Sequence, residues 1–239
     1  MGAQNSKAMV GVPGTSGPIS AATNNTLAQG SKEDDEIIGK IKDLQITAPA
    51  PRNGLELDVS THLNYYYHVK LHDSERYFVS LCTKLTGQPI FVFASTLDET
   101  HYLALILRYF GMNATPLYSS MGRSNGFDAL REFRSGPHRI LITTDRLCPL
   151  HVPEADHILN FNLPTTAKNY IWRIRRVSPD KKCNVINFAS QHDMGVVNHL
   201  ETALKIPLAK YDLEESAMVS PMRIHNAQME VKRVMELND

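Results

Sequence analysis

The sequence predicts an α/β fold: a single parallel sheet flanked by helices and preceded by a disordered N-terminal arm. Three observations lead there. From Leu55 onward, short apolar runs alternate with longer amphipathic segments, the pattern of consecutive βαβ units. The runs are aliphatic and often β-branched, which suits strands covered on both faces. A chain of 239 residues with 42% hydrophobic composition is long enough for one sizeable core.

The elements follow in order. Strands are expected at Leu63–Lys70, Ile90–Phe93, Ala114–Leu117, Arg139–Thr143, His157–Phe161 and Asn184–Phe188. Asp73 is placed to cap a helix that runs towards Thr86 and stops at Gly87. A second helix, Leu97–Phe110, carries Leu103, Leu107 and Phe110 on one side and ends before Gly111. Further helices are expected over Phe127–Arg134, Ala167–Arg176, Met194–Leu204 and from Met222, after Pro221, to the C-terminus. This divides the chain into an arm at 1–54, a domain at 55–215 and a C-terminal helix at 216–239.

The arm is rich in Gly, Ala, Ser, Thr, Asn and Pro, too polar to offset the entropy of ordering. Near its end, Ile37, Ile38, Ile41 and Leu44 recur at near-helical spacing ahead of Pro49 and Pro51, which fits a short amphipathic helix. The run Glu33–Glu36 follows no apolar strand and reads as a solvated charge run, without metal-binding character. Met1-Gly2 with Ser6 satisfies the pattern for N-myristoylation at Gly2, a degenerate pattern that random sequence also satisfies.

Charge and cysteine content exclude some classes. Twenty-five basic residues balance twenty-five acidic ones, so any contact with a polyanion must come from a local patch. Cys82, Cys148 and Cys183 are far apart and lack CxxC spacing. They suggest neither a disulfide framework nor a zinc site, and a reducing compartment fits them. No apolar run reaches the roughly 18 residues of a membrane span.

The densest basic stretch holds Lys168, Arg173, Arg175, Arg176, Lys181 and Lys182 with Trp172 among them, a pattern that suits phosphate binding. Ile171 and Ile174 argue the other way, that this helix turns one side to the core, with Trp172 covering it.

Several segments then fall into a known order: Ile90-Phe91-Val92-Phe93-Ala94-Ser95, Thr115-Pro116-Leu117, Arg139 to Asp145, Asn160-Phe161-Asn162-Leu163-Pro164, and Tyr170-Ile171-Trp172-Arg173-Ile174-Arg175-Arg176. Together, over about Leu55 to Glu230, they resemble the second, RecA-like lobe of DEAD-box RNA helicases. Ser190-Gln191-His192-Asp193 through Glu201, with Ile206-Pro207-Leu208, looks most like the nucleolar members that process ribosomal RNA.

The resemblance implies roles for particular residues. Ser95 matches the hydroxyl of the family's fourth motif, and Thr144-Asp145 the opening of its fifth, where the threonine holds an RNA phosphate. Lys168 is expected on a nucleic-acid surface from the basic stretch alone. Arg173 and Arg176 match arginines of the sixth motif, which implies a role facing nucleotide phosphates. The plainer reading gives Thr144 the end of a strand and Ser95 a helix cap.

The departures from the pattern are as informative. Trp172 stands for the family's histidine, Arg175 for its glycine and Pro179 for its final arginine. His151 occupies the place of an aspartate, and Tyr118-Ser119 that of a His-Gly pair, with Arg123 and Gly126 at the following Gln and Arg positions. No G-x-x-x-x-G-K-[ST] loop and no Asp-Glu-Ala-Asp tetrad occurs in the chain.

The expected function is therefore a degenerate C-terminal lobe acting as a non-catalytic RNA-binding or RNA-processing accessory protein, with no catalytic or metal-binding residue assigned. The alternatives are a protein-interaction module docking on a helicase or ribosome-assembly factor, and half of an ATP-dependent helicase completed by a separate first lobe. ATP and magnesium enter only in that last case. The resemblance implies a nuclear or nucleolar location, with cytoplasm as the alternative.

Overall fold

Side chains alternate along β2 (Ile90–Ala94), and this splits the core in two: Ile90, Val92 and Ala94 pack on one face of the sheet, Phe91 and Phe93 on the other. All five are buried, as a strand covered on both faces requires. The computed structural model describes Ser60 and residues 62–70, 72–117, 123–135, 139–145, 155–176 and 181–237, with backbone alone for 123–127.

Among the described residues seven strands form one sheet in the order β3-β4-β2-β5-β6-β1-β7, and every pairing there is parallel. The others are β1 (Leu63–His68), β3 (Ala114–Leu117), β4 (Ile140–Thr144), β5 (His157–Asn160), β6 (Asn184–Ala189) and β7 (Ala209–Lys210). The expected parallel α/β architecture is present. β7, only two residues long and exposed, has too little pattern to be read from sequence.

Helices α1 (Ser74–Lys84), α2 (Leu97–Tyr109) and α6 (Pro221–Glu236) cover one face. Their Phe78, Leu81, Leu103, Leu107, Ile224, Ala227 and Val231 meet Ile90, Val92, Ile140, Ile142 and Ile186. Helices α3 (Arg123–Ser135), α4 (Ala167–Ile174) and α5 (Met194–Leu204) cover the other with Leu130, Phe133, Tyr170, Ile174, Val197 and Leu200. Each fully buried large side chain contributes about 1.5–3 kcal/mol through the hydrophobic effect. The C-terminal helix packs on the domain, against α2 and α1. Its approach is fixed by Arg76, which donates through Nε to the Val219 carbonyl at 2.8 Å.

Local chemistry corrects several boundaries. Asp73 makes no side-chain cap to α1 and instead pairs with Arg76 at 3.6 Å. Helix α3 begins at Arg123, four residues before the expected Phe127, and α4 ends at Ile174. Gly87 and Gly111, with φ of +86° and +77°, occupy the left-handed region where a helix-ending glycine is favoured. No described helix is long and apolar enough to cross a membrane. The arm with Gly2, Tyr118, Ser119, Cys148, His151 and Pro179 lie outside the described residues.

Candidate functional site at the carboxyl edge of the sheet

The site follows from the strand order. Because β4, β2 and β5 are neighbours, with Ala94 in register with Thr144 and Phe93 with Asn160, the residues leaving their carboxyl ends converge. Ser95, Thr144, Asp145 and Asn162 therefore share one edge, the edge where parallel α/β sheets bind ligands.

Ser95 is exposed, and its backbone N–H donates to Glu99 Oε2 at 2.8 Å. The cap of α2 is its neighbour: Thr96 has extended backbone, and its hydroxyl accepts from Glu99 N–H at 3.1 Å. A cap role for Ser95 is thus corrected to Thr96. The T-x-x-E spacing of Thr96 and Glu99 carries a signal that points to this residue. Glu99 also accepts from Asn162 Nδ2 at 3.3 Å, which joins the start of α2 to the end of β5.

Thr144 is 3% exposed, and its hydroxyl is buried with no hydrogen-bond partner among the described residues. The Asn162 Oδ1 is in the same condition. Such orphans cost free energy unless a ligand or water completes them, so they are unusual in a strand end that is only structural.

Arg173, 4% exposed, is the hub of the edge. Its Nε and Nη2 donate to the two carboxylate oxygens of Asp145 at 2.8 and 2.9 Å. Its Nη1 donates to Asn160 Oδ1 at 2.9 Å and to the Asn162 carbonyl at 2.8 Å. The guanidinium also lies 4.9 Å from the centre of the Phe93 ring. Four of its five N–H donors are thereby used inside the lobe.

From this hub a buried polar chain crosses the sheet. Asn160 Nδ2 donates to Asn187 Oδ1 at 2.7 Å, and Asn187 Nδ2 donates to the Tyr65 carbonyl at 2.7 Å and to the Tyr170 hydroxyl at 3.3 Å. Tyr170 in turn donates to Asn64 Oδ1 at 2.8 Å. Burial pushes the Tyr170 hydroxyl well above its ordinary pKa, which keeps it a donor. Asn64, Asn160, Tyr170 and Asn187 were missed as network residues. The available signal was an asparagine inside otherwise aliphatic strands, which needs a partner when buried.

Arg176 is 7% exposed. Its guanidinium stacks on the Trp172 ring at 4.4 Å, and its Nε donates to the Trp172 carbonyl at 3.1 Å. Half-buried Trp172 meets Phe93 edge-on at 6.3 Å, so it does cover core. Lys181 pairs with Asp156 at 2.6 Å beside the amino ends of the strands, away from this edge. Lys168 and Arg175 are exposed. In this structure the Arg173 guanidinium is hydrogen-bonded within the lobe and the Arg176 guanidinium is stacked on the Trp172 indole.

These features define the class of protein. Residues 73–178 match the helicase conserved C-terminal domain. A curated relative, the ATP-dependent rRNA helicase rrp-3 of Neurospora crassa, is 33% identical over 181 residues, covering 74% of this chain and 35% of its own length. Among solved structures, Dbp5 of S. cerevisiae bound to RNA and ADP BeF3 superposes with a TM-score of 0.60 at 20% identity, over 75% of this chain and 48% of that one. Domain 2 of the DEAD-box helicase Mss116p bound to an RNA duplex superposes with a TM-score of 0.53 at 20% identity, over 71% and 77%. The ordered part of the chain is a RecA-like helicase C-terminal domain of the DEAD-box RNA helicase family. The chain spans only 35% to 39% of the length of the curated relatives it matches.

Proposed function

We propose that this chain works as a degenerate DEAD-box C-terminal lobe that binds RNA without catalysis, as an accessory in ribosomal-RNA processing. The observation that carries the reading is the state of the two arginines. Arg173 spends four donors on Asp145, Asn160 and Asn162, and Arg176 lies buried on Trp172. Without a guanidinium turned to a transferring phosphoryl group, phosphoryl transfer loses about 10³- to 10⁵-fold in rate.

RNA binding is supported by the converging edge residues Ser95 and Thr144, with the Thr144 hydroxyl lacking a partner among the described residues, and by exposed Lys168. The names of the relatives, rRNA helicases, support a processing role and a nucleolar location. The lone second domain of Mss116p on an RNA duplex supports binding by a lobe of this kind. The deciding experiment is binding of the purified chain to fluorescent RNA across a salt series, with and without ATP. Salt-sensitive binding indifferent to ATP is expected, and ATP-dependent binding would instead favour half of a helicase completed in trans, with ATP and magnesium as cofactors.

A second reading, docking on a helicase or ribosome-assembly protein, draws on one specific feature. Asp98 and Glu99 make the first turn of α2 acidic beside Ser95, which opposes a phosphate there. Under this reading the chain recovers protein partners and shows no affinity for RNA.

A further inference from the structure

The basic stretch around Trp172 divides sharply once its partners are known. Arg173 and Arg176 are buried and engaged, and Lys181 is paired with Asp156. On α4 and its cap this leaves Lys168 and Arg175, both exposed and neither in an ion pair among the described residues. They are seven residues apart, two helical turns or about 10 Å along one side of the helix. Trp172 lies between them, four residues after Lys168 and three before Arg175, on the same side. No acidic residue occurs from Thr165 to Arg176.

The indole is also held in place. It stands edge-on to Phe93 at 6.3 Å and carries the Arg176 guanidinium at 4.4 Å, so it need not be ordered by a ligand. Exposed Thr165, Thr166 and Asn169 extend the same surface with uncharged hydrogen-bonding groups.

We propose that exposed Lys168, half-buried Trp172 and exposed Arg175, on one side of α4 and its cap, form an RNA-binding stripe, with two phosphates on the cations and a base or ribose against the indole. This rests on the RNA-binding reading above and adds the outer side of α4 to the edge residues Ser95 and Thr144. Two separated cations without an ion pair among the described residues suit a polyanion. An aromatic between them favours nucleic acid over an acidic protein, because every base offers a face to stack.

Trp172 is the single tryptophan of the chain, so its fluorescence reports on this surface alone. The whole chain is titrated with unlabelled single-stranded RNA at several salt concentrations, and affinity is read in parallel by anisotropy of a labelled strand. RNA is expected to change the Trp172 emission. Lys168→Glu/Arg175→Glu should weaken binding by at least about 10-fold, and Lys168→Ala/Arg175→Ala should lower the salt slope by about 1.4, at 0.7 per phosphate contact. Lys210→Ala/Lys232→Ala, at two exposed ion-paired lysines, serves as control and should leave both quantities unchanged.

Absence of RNA binding by the native chain would overturn both the stripe and the reading beneath it. Native binding with unchanged affinity and slope in the stripe variants, or with unchanged Trp172 emission at saturation, overturns the stripe alone. Equal affinity for poly-glutamate would overturn RNA as its ligand in favour of an acidic protein.

Discussion

Arg173 and Asp145 face each other in a two-point contact, Nε to Oδ1 at 2.8 Å and Nη2 to Oδ2 at 2.9 Å, across 28 residues of sequence. The pair ties the end of β4 to α4, and so binds together two segments that the family resemblance had assigned to RNA and nucleotide.

Asp145→Asn keeps the shape of the acceptor but leaves the 4%-exposed arginine without its counter-charge. Hydrogen bonds to charged groups contribute about 1.5–3 kcal/mol each, and the half-open carboxylate lies at the lower end of that range. A loss of about 2 kcal/mol is expected in urea denaturation, with Arg173→Ala costing more because Asn160 and the Asn162 carbonyl also lose their donor.

Tyr170→Phe deletes the hydroxyl that donates to Asn64 and accepts from Asn187. With the ring still filling the core, the cost is that of the stranded asparagine atoms, about 1–3 kcal/mol. An unchanged urea midpoint would show that the polar chain does not stabilise the lobe.

Thr144→Val tests whether the buried hydroxyl serves the fold or a ligand. Removing a polar atom that has no partner among the described residues should leave stability unchanged or raise it by up to about 1 kcal/mol. RNA affinity should fall if the hydroxyl completes a phosphate site, so opposite movements of the two quantities are the expected outcome.

His157, at the amino end of β5, is held neutral by burial, which lowers its pKa. Nearby Asp156 opposes this and Lys181 adds to it. Its Nε2 lies 2.6 Å from Gln88 Oε1 and its Nδ1 3.3 Å from Asn184 Nδ2, so Nε2 carries the proton that Gln88 accepts. The unfolded chain takes up a proton near pH 6.5 while the folded one resists it. Stability is therefore complete above about pH 6.5 and falls as the pH drops below it, until the folded group also protonates. His157→Gln should flatten urea midpoints measured from pH 7.5 to 5.

Much of the fold was legible because parallel strands announce themselves: Ile90–Ala94 is apolar throughout, Ile140–Thr144 is aliphatic and β-branched, and every residue of both is buried. The edge strand β7 escaped because two exposed residues carry no period. Ser95, Thr144 and Asp145 were picked out through family motifs, whereas their partners were not. Nothing in the spacing of Arg173, Asn160 and Asn187 says that their side chains meet, since that contact is made by strand order. Arg176 shows the same limit from the other side. Its place in the motif says nothing of the tryptophan ring on which its guanidinium is stacked.

The asparagine row has a further consequence for folding fidelity. Aliphatic parallel strands such as β5 and β6 slide past one another at little energetic cost, because one branched side chain packs much like the next. Asn160 and Asn187 remove that tolerance. They pair at 2.7 Å only in the native alignment, and a slip of a single position would turn the slipped strand's amide into the opposite apolar layer without a mate. Misaligned sheets are thus penalised from within, so this lobe carries its own proofreading in the middle of its sheet.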